Sequence, residues 1–138
     1  LTALMQIMRQ EQKAFDQTGG CHGIAAFDIE GNILCVREDI GRHNALDKVV
    51  GSLIESERLK EARIVTFSGR TSYEMVSKAF RAKIPIVVSV SAPSSLAIDF
   101  AKEFGLTLIG FARENKLTVY AGAKRILSTN RNYINLNN

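Results

Sequence analysis

The chain has 138 residues, 46% hydrophobic and 23% charged, with a formal net charge of +4. That length supports one domain around a single core, and the composition is that of a globular protein, neither fibrous nor disordered. Its longest apolar run falls far short of the roughly 20 residues that cross a bilayer. Its lysines and arginines are scattered, which permits an anionic partner without calling for nucleic acid.

No membrane span and no leader of charged then apolar residues is expected. The two cysteines, Cys21 and Cys35, belong to no C-x-x-C pair, so both read as free thiols of a reducing compartment, the cytoplasm. Leu1 is not a start residue, and the chain opens directly in a helical pattern at Leu4, Met5, Ile7 and Met8. It reads as a fragment lacking a natural N-terminal part.

Residues 1–15 form the first expected helix, ending at Asp16-Gln17-Thr18-Gly19-Gly20. Ile24–Ile29 and Ile33–Arg37 alternate as strands about Glu30-Gly31-Asn32, the signature of a hairpin. From Arg42 to Ser56, Ala45, Leu46, Val49, Val50, Leu53 and Ile54 recur as the apolar face of a helix. Ile64–Phe67 is a short buried strand, and the helix after it turns Met75, Val76, Ala79 and Phe80 inward. Pro85 opens a strand to Val90, and Ser91–Ser95 leads into a helix that Gly105 stops. Leu106–Phe111 and Leu117–Tyr120 are the last two strands, and residues 128–138, rich in asparagine, read as a frayed tail after a single domain over 1–127. Strands alternating with helices predict an α/β fold: a three-layer mixed sheet, mostly parallel, with helices on both faces and an antiparallel N-terminal hairpin.

Three strand-to-helix junctions are polar: Glu38–Asn44, Ser68–Ser72 and Ser91–Ser95. The carboxyl ends of parallel strands share one edge, where ligands bind, so the three should meet. Glu38-Asp39-Ile40-Gly41-Arg42-His43-Asn44 carries one of two histidines at a helix start, suited to anion binding or proton transfer. Ser68-Gly69-Arg70-Thr71-Ser72 offers hydroxyls, a flexible glycine, a guanidinium and a helix N-terminus, equipment for a phosphate. For each, plain helix capping is the competing reading. Arg113 and Lys116, in Phe111-Ala112-Arg113-Glu114-Asn115-Lys116, could hold a diphosphate or could ring a solvated turn.

A zinc site is testable by motif. A nucleoside deaminase needs H-x-E at the start of the helix after the hairpin and P-C-x-x-C at the next junction. Here Ala45 stands two residues after His43, and Ser68–Ser72 contains no cysteine, so zinc hydrolysis is excluded. Cys21, between Gly-Gly and His22, reads either as a reactive thiol or as a cysteine tolerated at a loop edge, and Cys35 reads as core.

Thr18-Gly19-Gly20-x-His22, Glu38–Lys48, Ser68–Val76, Val90–Ala97 and Leu106–Phe111 together resemble the FdhD family, five motifs in order across most of residues 18–122. The resemblance implies a cytidine-deaminase-like fold and a sulfurtransferase needed for formate dehydrogenase activity. In that family a cysteine desulfurase loads sulfur as a persulfide on a C-x-x-C loop. The sulfur then passes to the molybdenum of bis-molybdopterin guanine dinucleotide before the cofactor enters formate dehydrogenase. The loop has no counterpart here, so the resemblance implies retained cofactor binding and no persulfide cysteine in this stretch. The family's cofactor-binding stretch falls on Phe111, Ala112, Arg113, Glu114, Asn115 and Lys116, with Glu114 and Asn115 replacing its usual small and proline residues. With His43, Ser68, Arg70 and Ser91 these are the expected cofactor contacts, GDP serving as a partial analogue. The resemblance also implies a homodimer. A non-catalytic module that binds guanine nucleotides or carries a cofactor is the alternative reading.

Overall fold

A computed structural model describes residues 1–126 and the backbone of a short strand at Tyr133–Asn135. Among these residues, strands β1 (His22–Phe27), β2 (Ile33–Asp39), β3 (Ile64–Phe67), β4 (Ile86–Ser89), β5 (Thr107–Arg113), β6 (Lys116–Ala121) and β7 (Tyr133–Asn135) form one sheet. Its order is β2-β1-β3-β4-β5-β6-β7. The helices are α1 (Thr2–Gln10), α2 (Lys13–Thr18), α3 (Arg42–Glu55), α4 (Tyr73–Arg81) and α5 (Ser95–Phe104).

The sheet is mixed, as expected, though only half of its strand pairings are parallel. The pairs β3–β4, β4–β5 and β6–β7 are parallel, whereas β1–β2, β1–β3 and β5–β6 are antiparallel. β1 runs against both its neighbours, so β2, β3, β4 and β5 all point the same way. The crossovers through α3 (past β1 to β3), α4 (to β4) and α5 (to β5) all advance in one direction across the sheet. Right-handed crossovers that advance in one direction stay on one face. Accordingly Leu46, Val49 and Leu53 of α3, Met75, Val76 and Ala79 of α4, and Ala97 and Ala101 of α5 bury one face with Val65, Phe67, Val87 and Leu108. Leu4, Met5 and Met8 of α1 cover the other face, against Phe27, Ile64, Ile86, Val88 and Ile109. The chain thus has helices on both faces, three on one side and α1 on the other.

The single helix expected over 1–15 is two helices. Gln12, at φ −85° and ψ 74°, breaks the run, and α2 continues to Thr18. The break has a distant cause: the Glu38 carboxylate accepts hydrogen bonds from the N–H groups of Ala14 (2.8 Å) and Phe15 (2.9 Å), capping a new helix start. Gly19, at φ +71°, closes α2 in the left-handed conformation.

Phe80 departs from its expected inward position. It is 40% exposed and stacks on Phe100 and Phe104 of α5. The expected turn at Glu30-Gly31-Asn32 is organised by Asp28, whose carboxylate accepts from the N–H groups of Glu30 and Asn32; β1 ends at Phe27, leaving Ile29 exposed. The frayed tail expected from residue 128 lies outside the described residues except at Tyr133–Asn135, which pairs with β6.

Candidate functional site

Because β2 to β5 share a direction, their carboxyl ends and the start of β1 lie on one edge. There the three polar junctions meet through direct contacts. His43, in the first turn of α3, places Nε2 3.0 Å from the Ser72 hydroxyl oxygen. Ser72 is also the N-cap of α4 and accepts from the Met75 N–H, so one hydroxyl ties the starts of α3 and α4 together. The Ser68 hydroxyl accepts from the Gly23 N–H at 2.8 Å, holding the end of β3 to the start of β1. Gly69 passes against His22: a Cβ there would lie 3.0 Å from His22 Nδ1.

The next junction is bonded to the last. The Thr71 N–H donates to the Ala92 carbonyl and the Ser94 N–H to the Thr71 carbonyl, with Thr71 bridged to Pro93. Ser94 caps α5 by accepting from the Ala97 N–H. Ser91 donates its N–H to the Ser89 hydroxyl, and its carbonyl accepts from the Phe111 N–H at 3.2 Å. His43, Ser68, Ser91 and Phe111 therefore belong to one bonded rim. Arg70 stands on it, exposed.

The charges on this rim are largely placed by one another. Lys48 approaches Asp39 at 2.7 Å, and the Lys48 hydrogen bond, with the Gly41 N–H, holds the Asp39 carboxyl below its ordinary range. Hydrogen bonds from its own N–H and from the Ser72 hydroxyl lower the Glu74 carboxyl, helped by the nearby charges of His43 and Arg42. Two buried polar atoms on the rim meet no partner among the described residues: Arg42 Nε and the Thr71 hydroxyl, Thr71 being 1% exposed. The sequence places both residues in junctions suited to an anion, with capping as the competing reading, and singles out neither. The signal available was only their position just after Gly41 and two residues after Gly69.

Phe111–Lys116 is the tip of the β5–β6 hairpin. Phe111 has φ +52° within β5, and the strand register shifts there. This bulge shifts the alternation by one: Ile109 and Ala112, three residues apart, both pack on the α1 side, and Phe111 and Arg113 are exposed. Glu114 (φ +55°) and Asn115 (φ +64°) form the two-residue turn, with both φ positive as its tight form requires. Arg113 and Lys116 then face each other as cross-strand partners. Like charges opposite one another repel, and neither has an ion-pair partner among the described residues. The Arg113 guanidinium lies 5.9 Å from the Phe111 ring centroid. The tip therefore presents two cations beside an aromatic face, a donor set that fits a diphosphate next to a planar base.

A cavity of about 330 Å³ opens on the α1 side of this edge, lined by residues that include Gln12, Cys21, His22 and Ser68. Of the expected contacts only Ser68 borders it. The hairpin tip is a projecting surface instead. Cys35 is buried in β2, as expected.

An α/β domain that collects helix starts, hydroxyls and unopposed cations at one sheet edge is equipped to hold a phosphorylated ligand there. The chain belongs to the FdhD/NarQ family, whose model matches residues 1–127. It is 48% identical over 127 residues to a sulfur carrier protein FdhD of Mycolicibacterium paratuberculosis, covering 91% of this chain and 47% of that one. It is 50% identical over 127 residues to the FdhD of Streptomyces avermitilis, covering 91% and 45%. The chain thus spans about half the length of the curated relatives it matches. Among solved structures, it is similar to a protein assigned as a formate dehydrogenase accessory protein from Desulfotalea psychrophila. The TM-score is 0.84 at 33% identity, over 91% of this chain and 54% of that one.

Proposed function

We propose that this chain serves in a sulfur carrier required for formate dehydrogenase activity, and that its part is to hold the nucleotide end of the molybdenum cofactor. The observation that carries this is the kinship to curated FdhD sulfur carriers across 91% of the chain. The cargo is bis-molybdopterin guanine dinucleotide, held by the β5–β6 tip. Arg113 and Lys116 bind the diphosphate, Phe111 offers a face to the guanine, and bulged Ala112 with turn residues Glu114 and Asn115 sets their spacing. His43, Ser68, Arg70 and Ser91 flank the ligand from the neighbouring junctions. Sulfur comes from a cysteine desulfurase, is carried as a persulfide on a cysteine outside this stretch, and is passed to molybdenum. That makes the whole protein a sulfurtransferase, working as a cytoplasmic homodimer with formate dehydrogenase as recipient. The hairpin-led sheet with its crossover helices on one face supports a cytidine-deaminase-like ancestry.

Within this chain, the residues' work is binding and orientation. Two cations that repel each other in the free protein gain most when a diphosphate sits between them. An interaction between a guanidinium and a phosphate is worth about 1.5–3 kcal/mol. Calorimetric titration with GDP, against ADP as control, tests this. Saturable GDP binding weakened by roughly 10- to 100-fold in Arg113→Ala is the expected result. A folded chain that binds no GDP, or binds it equally well without Arg113, overturns the assignment.

A further inference from the structure

The cavity beneath α1 and α2 shares only Ser68 with the proposed nucleotide contacts, and it has the makings of a site of its own. Met5, Met8 and Phe15 give it a soft, apolar wall. Cys21, half-buried and outside any disulfide, lines it, with its sulfur 3.9 Å from the Thr18 hydroxyl oxygen, whose own hydrogen goes to the Ala14 carbonyl at 2.9 Å. Independently, Gln12 lines the same space while only 2% exposed. Its side-chain amide makes no hydrogen bond to the described residues. The amide lies flat on the backbone of Gly23, where an added Cβ would come within about 2.5 Å of Gln12 Cδ. A glycine is required there to admit it. An amide on a side chain this deeply set, free of hydrogen bonds to the described residues and open to an otherwise apolar cavity, can bond a small polar occupant there.

We propose that this cavity receives the terminal sulfur of a persulfide-class donor and that Cys21 holds it as a second persulfide. The inference rests on the sulfur-carrier reading above and adds a residue to it. The Cys21 thiol gives its proton to solvent, and the thiolate attacks the donor's outer sulfur. The bond between that sulfur and the next one breaks, and its electron pair leaves on the shortened donor. A new S–S bond remains on Cys21, with no external oxidant or reductant needed. The outer sulfur is large, polarisable and weakly hydrated, which suits contact with Met5 and Met8. The Gln12 amide, which lines the same cavity, donates to its negative charge. Enclosure slows the attack of other thiols, which is what a carrier needs between loading and delivery.

The test loads the chain with inorganic polysulfide, removes the excess, and finds the added sulfur by peptide mass spectrometry. Release by cyanide is then timed in the folded chain and in urea. The expected result is one added sulfur on Cys21, none in Cys21→Ser, and release roughly tenfold slower in the folded chain than in the unfolded one. Gln12→Leu should lose most of that protection; if it fails to fold, the folded-against-unfolded comparison on the unaltered chain decides alone. Equal release rates would mark Cys21 as an ordinary exposed thiol and overturn the proposal, as would loading at Cys35. GDP titration of the same samples reports on the underlying reading separately. Unprotected sulfur on a GDP-binding chain removes only the Cys21 site, and failure of both removes the reading with it.

Discussion

Gly110→Ala is the sharpest test of how the rim is held. Gly110 lies in β5 just before the Phe111 bulge, beneath the loop that links β4 to α5. A Cβ there would stand 2.9 Å from the Ser91 carbonyl oxygen, 2.9 Å from Tyr120 Cε2 and 3.1 Å from Pro93 Cδ. The Tyr120 ring can swing aside. The Ser91 carbonyl cannot, because the Ser91 N–H is bonded to the Ser89 hydroxyl and the carbonyl itself receives the Phe111 N–H. Forcing a methyl group into such packing costs about 1–3 kcal/mol, and loosening the Phe111–Ser91 hydrogen bond adds about 1 kcal/mol. The sum is roughly 2–4 kcal/mol. With about 2.1 cal/mol/K of unfolding entropy per residue over 138 residues, that lowers Tm by about 7–14 °C. Gly51→Ala is the matched control: nothing lies within 4 Å of its Cβ position, and it sits inside α3. Helix propensity alone should then stabilise by about 1 kcal/mol, raising Tm by about 3 °C. Thermal melts followed by circular dichroism decide. A Gly110→Ala variant that melts within about 2 °C of the unaltered chain would refute the claim that this loop is pinned at Ser91.

Glu38→Ala should remove the acceptor for Ala14 and Phe15 and unwind α2, at a cost of about 1–2 kcal/mol. Hydrogen exchange should then speed up at those two amides while β4 stays protected; unchanged exchange would show that α2 does not depend on Glu38. Acid should weaken the fold through Asp28, Asp39, Glu61 and Glu74, whose folded carboxyls all lie below their ordinary values because hydrogen-bond donors hold the charged form. The unfolded chain binds more protons as pH falls, so their contribution is full above the ordinary carboxylate range and is lost as pH drops through the folded values. Urea unfolding at neutral pH and again near pH 3 should show this decline, and a flat profile would contradict it.

The parts of the fold that could be read in the sequence are those whose cause is local. Leu46, Val49 and Leu53 recur at helical spacing and are buried where spacing puts them. Ser72 and Ser94 stand one residue before α4 and α5 and cap them with their own side chains. The convergence of the junctions was equally legible, since strand direction alone brings the carboxyl ends of β2, β3 and β4 to one edge. The failures share a different cause: in each, a distant partner overrode the local pattern. Gln12 falls one helical turn after Met8 on the inner stripe expected over residues 1–15, but Glu38, 24 positions away from Ala14, starts a new helix and turns the chain. Phe80 fits the inner stripe of α4 by spacing, yet Phe100 and Phe104 of α5 stack on it at the surface.

The same distinction separates the two candidate sites. The β5–β6 tip became a candidate through the family resemblance, since its charges alone read equally as a solvated turn, and its conformation was hidden: positive φ at Phe111, Glu114 and Asn115 turns a string of residues into an opposed pair of cations. The cavity beside Cys21 could not be found that way. It exists because a break at Gln12 swings α2 over the start of β1, and because Gly23 leaves room for the displaced amide. Neither residue carries a recognisable motif for binding. A helix made continuous through Gln12 would have no corner to roof that space, and a side chain at residue 23 would displace the amide from it. The geometry that separates Cys21 from an ordinary loop cysteine therefore comes from the capping of α2 by Glu38. If Glu38→Ala releases α2, it should also abolish the slow cyanide release expected of sulfur on Cys21, while leaving the hairpin cations in place. Slow release that survives the loss of α2 would place the protection somewhere other than this cavity.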